Sequence, residues 1–314
     1  VAHDVATPHP GWVEHDAEAT WWGDTVALCR RLLADLGGAS SVAAVAVTTC
    51  GPCLVPVDDA GRALRQGILY GVDTRATDEI AAFERTIGPD AIRALSRTTL
   101  SSQHVGPKLA WVARHEPDVA ARTATWHTAT SFIVARLTGQ AWVDHHQASF
   151  FAPFIDAERR TWDLRYATDL DLQGRLPALA WPGDIAGGVT HPAAAATGLV
   201  VGTPVLVGTS DGPTEALAVG AMRPGIVAAT HGSTTTLTTF AMRTPGTSAL
   251  WESEGWSPDE RCIAAGLSTS GAIVGWLQRT LSPDVPTDDR AAMSPTGANG
   301  LLVLPYFGGE RTLA

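Results

Sequence analysis

The sequence predicts an α/β protein of two domains, and three observations carry that prediction. Segments of helical hydrophobic spacing alternate with short β-branched runs, and strand patterns recur on both sides of about residue 220. A chain of 314 residues, 45% hydrophobic and 17% charged, also has enough apolar surface for two cores.

From Ala17 to Leu36 the residues Trp22, Val26, Leu28, Leu32, Leu33 and Leu36 follow a helical period, and Gly37-Gly38 stops the helix. Val42 to Thr49 and Leu54 to Val57 read as strands, with turn chemistry at Asp59-Ala60-Gly61 before a third at Ile68-Leu69-Tyr70. Helices are predicted over Ala76 to Ile87, over Pro107 to His115 with proline as the first helical residue, and over Thr128 to Leu137 ending at Gly139. Thr190-His191-Pro192 begins another capped helix. A strand at Val205 to Val207 runs into Gly208-Thr209-Ser210-Asp211-Gly212-Pro213, with a helix from Thr214 to Val219. Beyond Arg223-Pro224-Gly225 the pattern predicts a β-hairpin, Ile226 to Thr230 and Thr234 to Phe240 around a Gly232-Ser233 turn. A helix over Gly266 to Leu277 and a buried strand at Leu301 to Leu304 complete the reading.

Charge narrows the function. A formal net charge of -10 with no basic cluster argues against nucleic-acid or membrane surfaces, which need concentrated positive charge. No apolar run reaches about 18 residues and no secretory pattern opens the chain, so a soluble, cytoplasmic protein is expected. Lys108 is the sole lysine, which rules out a Walker A loop. The four cysteines, Cys29, Cys50, Cys53 and Cys262, are too few for a disulfide scaffold and read as reduced thiols. The chain opens at Val1 and stops at Ala314, just after Glu310-Arg311-Thr312, so it is expected to be incomplete at both ends.

Three motifs invite three functions. Cys50-Gly51-Pro52-Cys53 has the spacing of a redox pair, but the strand pattern Leu54-Val55-Pro56-Val57 follows where a thiol-activating helix should begin. The reading preferred is a tight turn with two reduced thiols. Gly208-Thr209-Ser210-Asp211-Gly212 matches G-x-S-x-G between strand and helix, yet the last histidine is His231 and no acid sits in a suitable later loop. The third reading takes Asp211 as the working group at the C-terminal end of a strand, against the competing role of a helix N-cap. Gly232-Ser233-Thr234, about twenty residues on, offers backbone N–H groups and hydroxyls that can bind phosphate without lysine.

In order, these segments resemble the FGGY carbohydrate kinases. Pro10-Gly11-Trp12-Val13-Glu14-His15-Asp16 is similar to that family's early Gly-Trp-x-Glu-x-Asp segment, and Val72-Asp73-Thr74-Arg75 to its Asp-x-Arg strand end. Lys108-Leu109-Ala110-Trp111-Val112 resembles half of a family signature, although Gln103 and Val105 replace the residues that usually precede the lysine. The set Gly208 to Gly212, Arg223-Pro224-Gly225, Gly232-Ser233-Thr234, Gly271 with Trp276, and Leu304 to Thr312 is the most specific part.

The resemblance implies an actin-like ATPase fold of two ribonuclease-H-like domains with a cleft between them. Residues 1–219 would form the sugar-binding N-terminal domain without its first phosphate loop, and 220–314 an incomplete nucleotide-binding domain. It implies Asp211 as catalytic base, and Cys50, Gly51, Pro52, Asp73, Arg75, Gln103, His104 and Gly212 around the sugar. Gly232, Ser233, Thr234 and Gly271 would meet the nucleotide. ATP and Mg²⁺ are the implied cofactors, no metal-binding side chain is assigned, and a homodimer is allowed. A ketopentose such as xylulose leads as substrate. Glycerol is disfavoured because Cys50-Gly51 stands where glycerol kinases carry an Arg-Glu pair, while ribulose, other ketoses and polyols stay open. A non-catalytic actin-like binding module is the alternative of a different class.

Overall fold

The structure, a computed structural model, describes residues 3–223, 225–232, 234–242, 250–267, 269–281, 284–304 and 306. They fall into two compact units, Val1–Thr214 with Ser253–Glu260 and Glu215–Glu252 with Arg261–Ala314. Both mix helices and strands, as the α/β reading expects.

In the first unit Asp16 starts the first helix by accepting the N–H groups of Glu18 and Ala19, each at 2.9 Å. A wide turn over Ala17–Trp22 leads into α1 (Gly23–Asp35). Gly37 at φ +73 lets the Gly38 N–H reach back to the Leu33 carbonyl at 2.9 Å, which ends the helix where Gly37-Gly38 predicts. The strand expected from Val42 is reduced to β1 (Thr48–Thr49), and β2 (Val55–Val57) follows after the Cys50 turn. Helices α2 (Thr77–Ile87) and α3 (Val105–His115) come next. The start of α3 lies two residues before Pro107, because His104 takes the extended cap position and proline lacks only an N–H that a first turn leaves unbonded.

Strand β3 (Thr125–His127) pairs antiparallel with β2, setting Val55 opposite His127. Then comes α4 (Ala129–Thr138), capped by the Thr128 hydroxyl on the Ser131 N–H and ended by left-handed Gly139. Phe132, Ile133, Val134 and Leu137 of α4 pack with Val55, Val57, Val205 and Val207 in the larger core. Each such side chain contributes about 1.5–3 kcal/mol of burial. After β4 (Trp142–Asp144) and α5 (His191–Thr197), strands β5 (Pro204–Leu206) and β6 (Thr209–Ser210) run parallel to residues 45–49. Thr209 lies opposite Thr48 and Ser210 opposite Thr49. Helix α6 (Asp211–Ala218) begins at once, three residues earlier than the pattern predicts.

Most of the second unit's strands belong to a four-stranded sheet. Its strands are β7 (Val227–His231), β8 (Thr235–Ala241), β9 (Trp251–Glu254) and β10 (Arg261–Leu267), in the order β7-β8-β10-β9. The predicted hairpin is present, with His231 opposite Thr235. Two expectations are corrected. Gly266 belongs to strand β10, and the helix α7 (Gly271–Leu281) starts five residues later, because small residues such as Ala264-Ala265-Gly266 fit either period. Leu301 to Leu304 is no buried strand: its side chains are 61% to 91% exposed, and an apolar run alone does not supply a partner strand. Among the described residues no helix is long and apolar enough to cross a membrane.

One packing contact leaves no room for change. A Cβ on Gly106 would overlap the Ala152 carbonyl and stand 2.8 Å from that of Phe151. The substitution Gly106→Ala is therefore expected to destabilise the protein by about 1–3 kcal/mol, seen as a lower urea midpoint at unchanged slope. An unmoved midpoint would contradict this packing.

Candidate active site

The strand that delivers Asp211 is held tightly. Gly208 sits at φ +71 where a Cβ would collide with the Val47 carbonyl, so only glycine lets the two parallel segments close. The Thr209 hydroxyl donates to the Asp144 carboxylate at 2.8 Å, and Gln147 donates to the same group through its side chain at 2.6 Å. Burial pushes the Asp144 carboxyl up to about 6 despite these bonds. Thr130 ties both strands together, its hydroxyl 2.7 Å from that of Thr49 and 3.3 Å from the Thr209 carbonyl.

Asp211 follows as the first residue of α6, exposed to solvent. Its Oδ1 accepts the Gly51 N–H at 3.2 Å and the Gly212 N–H at 3.0 Å. The first of these reaches across 160 residues to the Cys50 turn, a bond that serves no helix cap. Asp211, Gly212, Gly51, Cys50 and Pro52 are thereby brought together. Gly51 itself has φ +33, and a Cβ there would stand 2.7 Å from Tyr70 Cβ and overlap the ring. The two thiols beside it are free, Cys50 exposed and Cys53 buried, with sulfurs 3.8 Å apart.

Tyr70 links this turn to Gln103, donating its hydroxyl to Gln103 Oε1 at 2.7 Å. His104 is buried behind it. The Ser101 N–H donates to its Nδ1 at 3.0 Å, its Nε2 lies 3.2 Å from the Thr98 hydroxyl, and burial holds its pKa down at about 4. Both ring nitrogens are thus engaged within the fold.

Asp73 and Arg75 form a buried ionic cluster. Asp73 accepts the Val13 N–H at 2.6 Å and Arg75 Nη2 at 2.7 Å, and the other arm of Arg75 meets Glu14 at 2.7 Å. Glu14 also takes Arg65, which reaches Glu116 at 2.7 Å. The Arg75 guanidinium lies over Trp12 at 4.2 Å and Trp111 at 5.0 Å, so its planar face is covered as well. Lys108, wholly buried, donates to the Leu69 carbonyl at 2.8 Å, and desolvation lowers its pKa to about 8.

In the second unit the Gly232 N–H donates to the Thr234 carbonyl at 2.8 Å and the Gly271 N–H to the Gly232 carbonyl at 2.9 Å, so three predicted nucleotide residues adjoin one another. Ser233 lies outside the described residues, as do Pro224, Pro305 and the Phe307 to Thr312 part of the final motif. Thr235 bonds Ser270 at 2.6 Å and sits 3.1 Å from His231 Nδ1, hydroxyls at the N-terminus of α7. Among the described residues a Cβ on Gly232 would meet only the Thr234 carbonyl, at 3.9 Å. Hydroxyls, backbone N–H groups and a helix N-terminus suit a phosphate. Among the described residues no group of three or more His, Cys, Asp or Glu could hold a metal ion. Sequence reasoning missed Tyr70, Thr130, Asp144, Thr235 and Ser270 as site-builders, since nothing in their local patterns announces partners so far along the chain.

The profile of the FGGY family of carbohydrate kinases, N-terminal domain, matches residues 1–218. A glycerol kinase of Nocardia farcinica is 24% identical over 325 residues, covering 98% of this chain and 63% of that protein. A xylulose kinase of Escherichia coli K12 is 26% identical over 328 residues with the same two coverages. Among solved structures, the xylulose kinase from Rhodospirillum rubrum is similar with a TM-score of 0.88 and 32% identity, over 98% of this chain and 64% of that one. The chain thus spans 63% of the length of these curated relatives.

Two measurements test the site's supports. Arg75→Met leaves Asp73 buried without its guanidinium and Glu14 with Arg65 alone, and is expected to cost about 3–5 kcal/mol of stability. Weakened sugar binding at unchanged stability would instead mark Arg75 as a substrate contact. The buried histidines set an acid limit: His104, His127 and His146 are each held down at about 4 by burial. Each takes up its proton on unfolding near pH 6.5, so its contribution is lost as pH falls from 6.5 toward 4. Asp144, raised to about 6, works the other way over pH 6 to 4. Three groups against one predict a urea midpoint that falls between pH 7 and pH 4.5, and a rising midpoint would overturn the assignment.

Proposed function

The chain belongs to the FGGY family of carbohydrate kinases and has the actin-like ATPase fold of its members, and from that premise we propose that it catalyses ATP-dependent phosphorylation of a sugar hydroxyl. Asp211 is the general base in this reading. One observation carries it: an exposed carboxylate at the C-terminal end of β6, with one oxygen fixed by the Gly51 and Gly212 N–H groups. Fixing Oδ1 orients the carboxylate, so that it can take the proton of an attacking hydroxyl.

The other residues follow from their positions. Gly51 and Gly212 let a sugar approach the backbone, Cys50 and Pro52 border it, and Tyr70 with Gln103 forms a wall above the turn. Asp73, Arg75 and His104 act from behind, holding the segments that carry these contacts. In the second unit Gly232, Thr234 and Gly271, with Ser233, receive phosphate oxygens. ATP supplies the phosphoryl group, and because that transfer is loose, positioning and charge stabilisation do most of the protein's share. Magnesium would come with the nucleotide, which supplies many of its oxygen ligands. No side chain of this chain is assigned to it. The reaction is placed in the cytoplasm.

Xylulose is the leading substrate, supported by the likeness to xylulose kinases; ribulose, other ketoses and polyols follow. Glycerol is disfavoured because Cys50-Gly51 offers no charged pair for a triol. The second reading, a non-catalytic nucleotide-binding module, is weakened by the two donors that orient Asp211, since binding alone needs no aligned base. An ADP-release assay of the intact protein against ketoses and polyols separates the two, and silence across the panel with ATP still bound favours the module.

Asp211→Asn is expected to lower turnover by about 10²- to 10⁴-fold with little change in sugar affinity. Near-normal turnover in that variant would sink the assignment.

A further inference from the structure

No step of phosphoryl transfer uses the two thiols of the Cys50-Gly51-Pro52-Cys53 motif, yet they lie side by side at the turn that holds Asp211. The sulfurs are 3.8 Å apart, neither is bridged, and Cys50 is exposed while Cys53 is sealed in the core. This is the arrangement of an attacking thiol with a resolving thiol behind it. The sequence lacks an activating helix after Cys50, but the fold supplies a different device: the two sulfurs share a hydrogen bond at 3.8 Å in which either can donate, and the Cys53 S–H also reaches the Cys50 carbonyl at 3.4 Å. The bond between the sulfurs lowers the Cys50 pKa, against opposing effects of burial and of the Asp211 charge. The same bond, with burial, raises Cys53 well above the ordinary thiol range. Cys29, the other partly accessible cysteine, has no such neighbour, and burial pushes its thiol up.

We propose that Cys50 and Cys53 form a peroxide-oxidisable dithiol whose disulfide closes the sugar site by pulling the Gly51 N–H away from Asp211. The effect on activity rests on the kinase reading above; the oxidation itself does not. The Cys50 thiolate attacks a hydroperoxide oxygen, forming an S–O bond as the O–O bond breaks, and the peroxide is reduced to its alcohol or water. Cys53 then attacks the sulfenic sulfur. The S–S bond forms, the S–O bond breaks, and the departing hydroxide leaves as water with the Cys53 proton. Two thiols are oxidised and one peroxide is reduced.

Closing the bond requires the sulfurs to approach from 3.8 Å to the roughly 2.05 Å of a disulfide. The turn between them has little slack. Gly51 is held at φ +33 against the Tyr70 ring, and its N–H is one of the two that orient the carboxylate. Even about 1 Å of that movement passed on to the Gly51 N–H is enough to lower turnover roughly tenfold or more.

The test treats the reduced, intact protein with hydrogen peroxide, blocks remaining thiols with iodoacetamide, and reads the peptide carrying both cysteines by mass while phosphorylation is followed in parallel. The expected result is joint protection of Cys50 and Cys53 from alkylation, a matching loss of activity of tenfold or more, and recovery with dithiothreitol. Cys50→Ser and Cys53→Ala are each expected to keep, after peroxide, the activity they had before it. Thiols that stay alkylatable under peroxide overturn the proposal, and so does a disulfide that forms while activity holds. A disulfide forming in a protein inert toward every sugar supports the dithiol and strikes the kinase reading instead.

Discussion

The site depends on one register, the parallel pairing of Thr48–Thr49 with Thr209–Ser210. Thr48 faces Thr209 and Thr49 faces Ser210, so the Cys50 turn and Asp211 emerge side by side at the same end of neighbouring strands. A slip of one residue would turn every side chain to the opposite face. Two features prevent it. Gly208 allows the close approach to Val47 that any other residue would block, and Thr130 holds a hydroxyl of one strand and a carbonyl of the other. The bond from Gly51 to Asp211 is a consequence of that register.

Buried polar groups support this frame at some cost. Asp144 sits wholly inside the fold with its pKa pushed up to about 6, so its ionised form is penalised at neutral pH even while Thr209 and Gln147 donate to it. A hydrophobic residue there would leave the Thr209 hydroxyl without its acceptor and β6 without a lateral anchor. The Glu14, Asp73 and Arg75 cluster does the same for the segment after Tyr70, fixing in place the turn whose tyrosine covers Gly51. Interactions that look like surplus charge in the core are what position the neutral groups around Asp211.

Much of this was legible in the sequence where local chemistry is decisive. The Gly37-Gly38 stop, the Thr128 and Thr190 caps, the Gly139 terminator and the Gly232 hairpin appear where their residues predict. Local pattern failed where two periods fit the same residues, as at Ala264-Ala265-Gly266, and where an apolar run lacks a partner strand among the described residues, as at Leu301 to Leu304. Within the site, Asp211 and the Cys50 turn could be named from motif order, but their contact could not, because it spans 160 residues. Arg75 shows the same limit: a motif marks it, while its engagement with Glu14, Trp12 and Trp111 is visible only in three dimensions.

The account therefore places chemistry on a carboxylate whose orientation is set by backbone, with thiols and aromatic side chains around it. A crystal structure of the intact protein with its sugar and a non-hydrolysable ATP analogue tests this most directly. The account predicts the acceptor hydroxyl within about 2.6–3.2 Å of the Asp211 oxygen not held by Gly51. A sugar whose reacting hydroxyl faces Ser210, or lies away from the Cys50 turn, would contradict it.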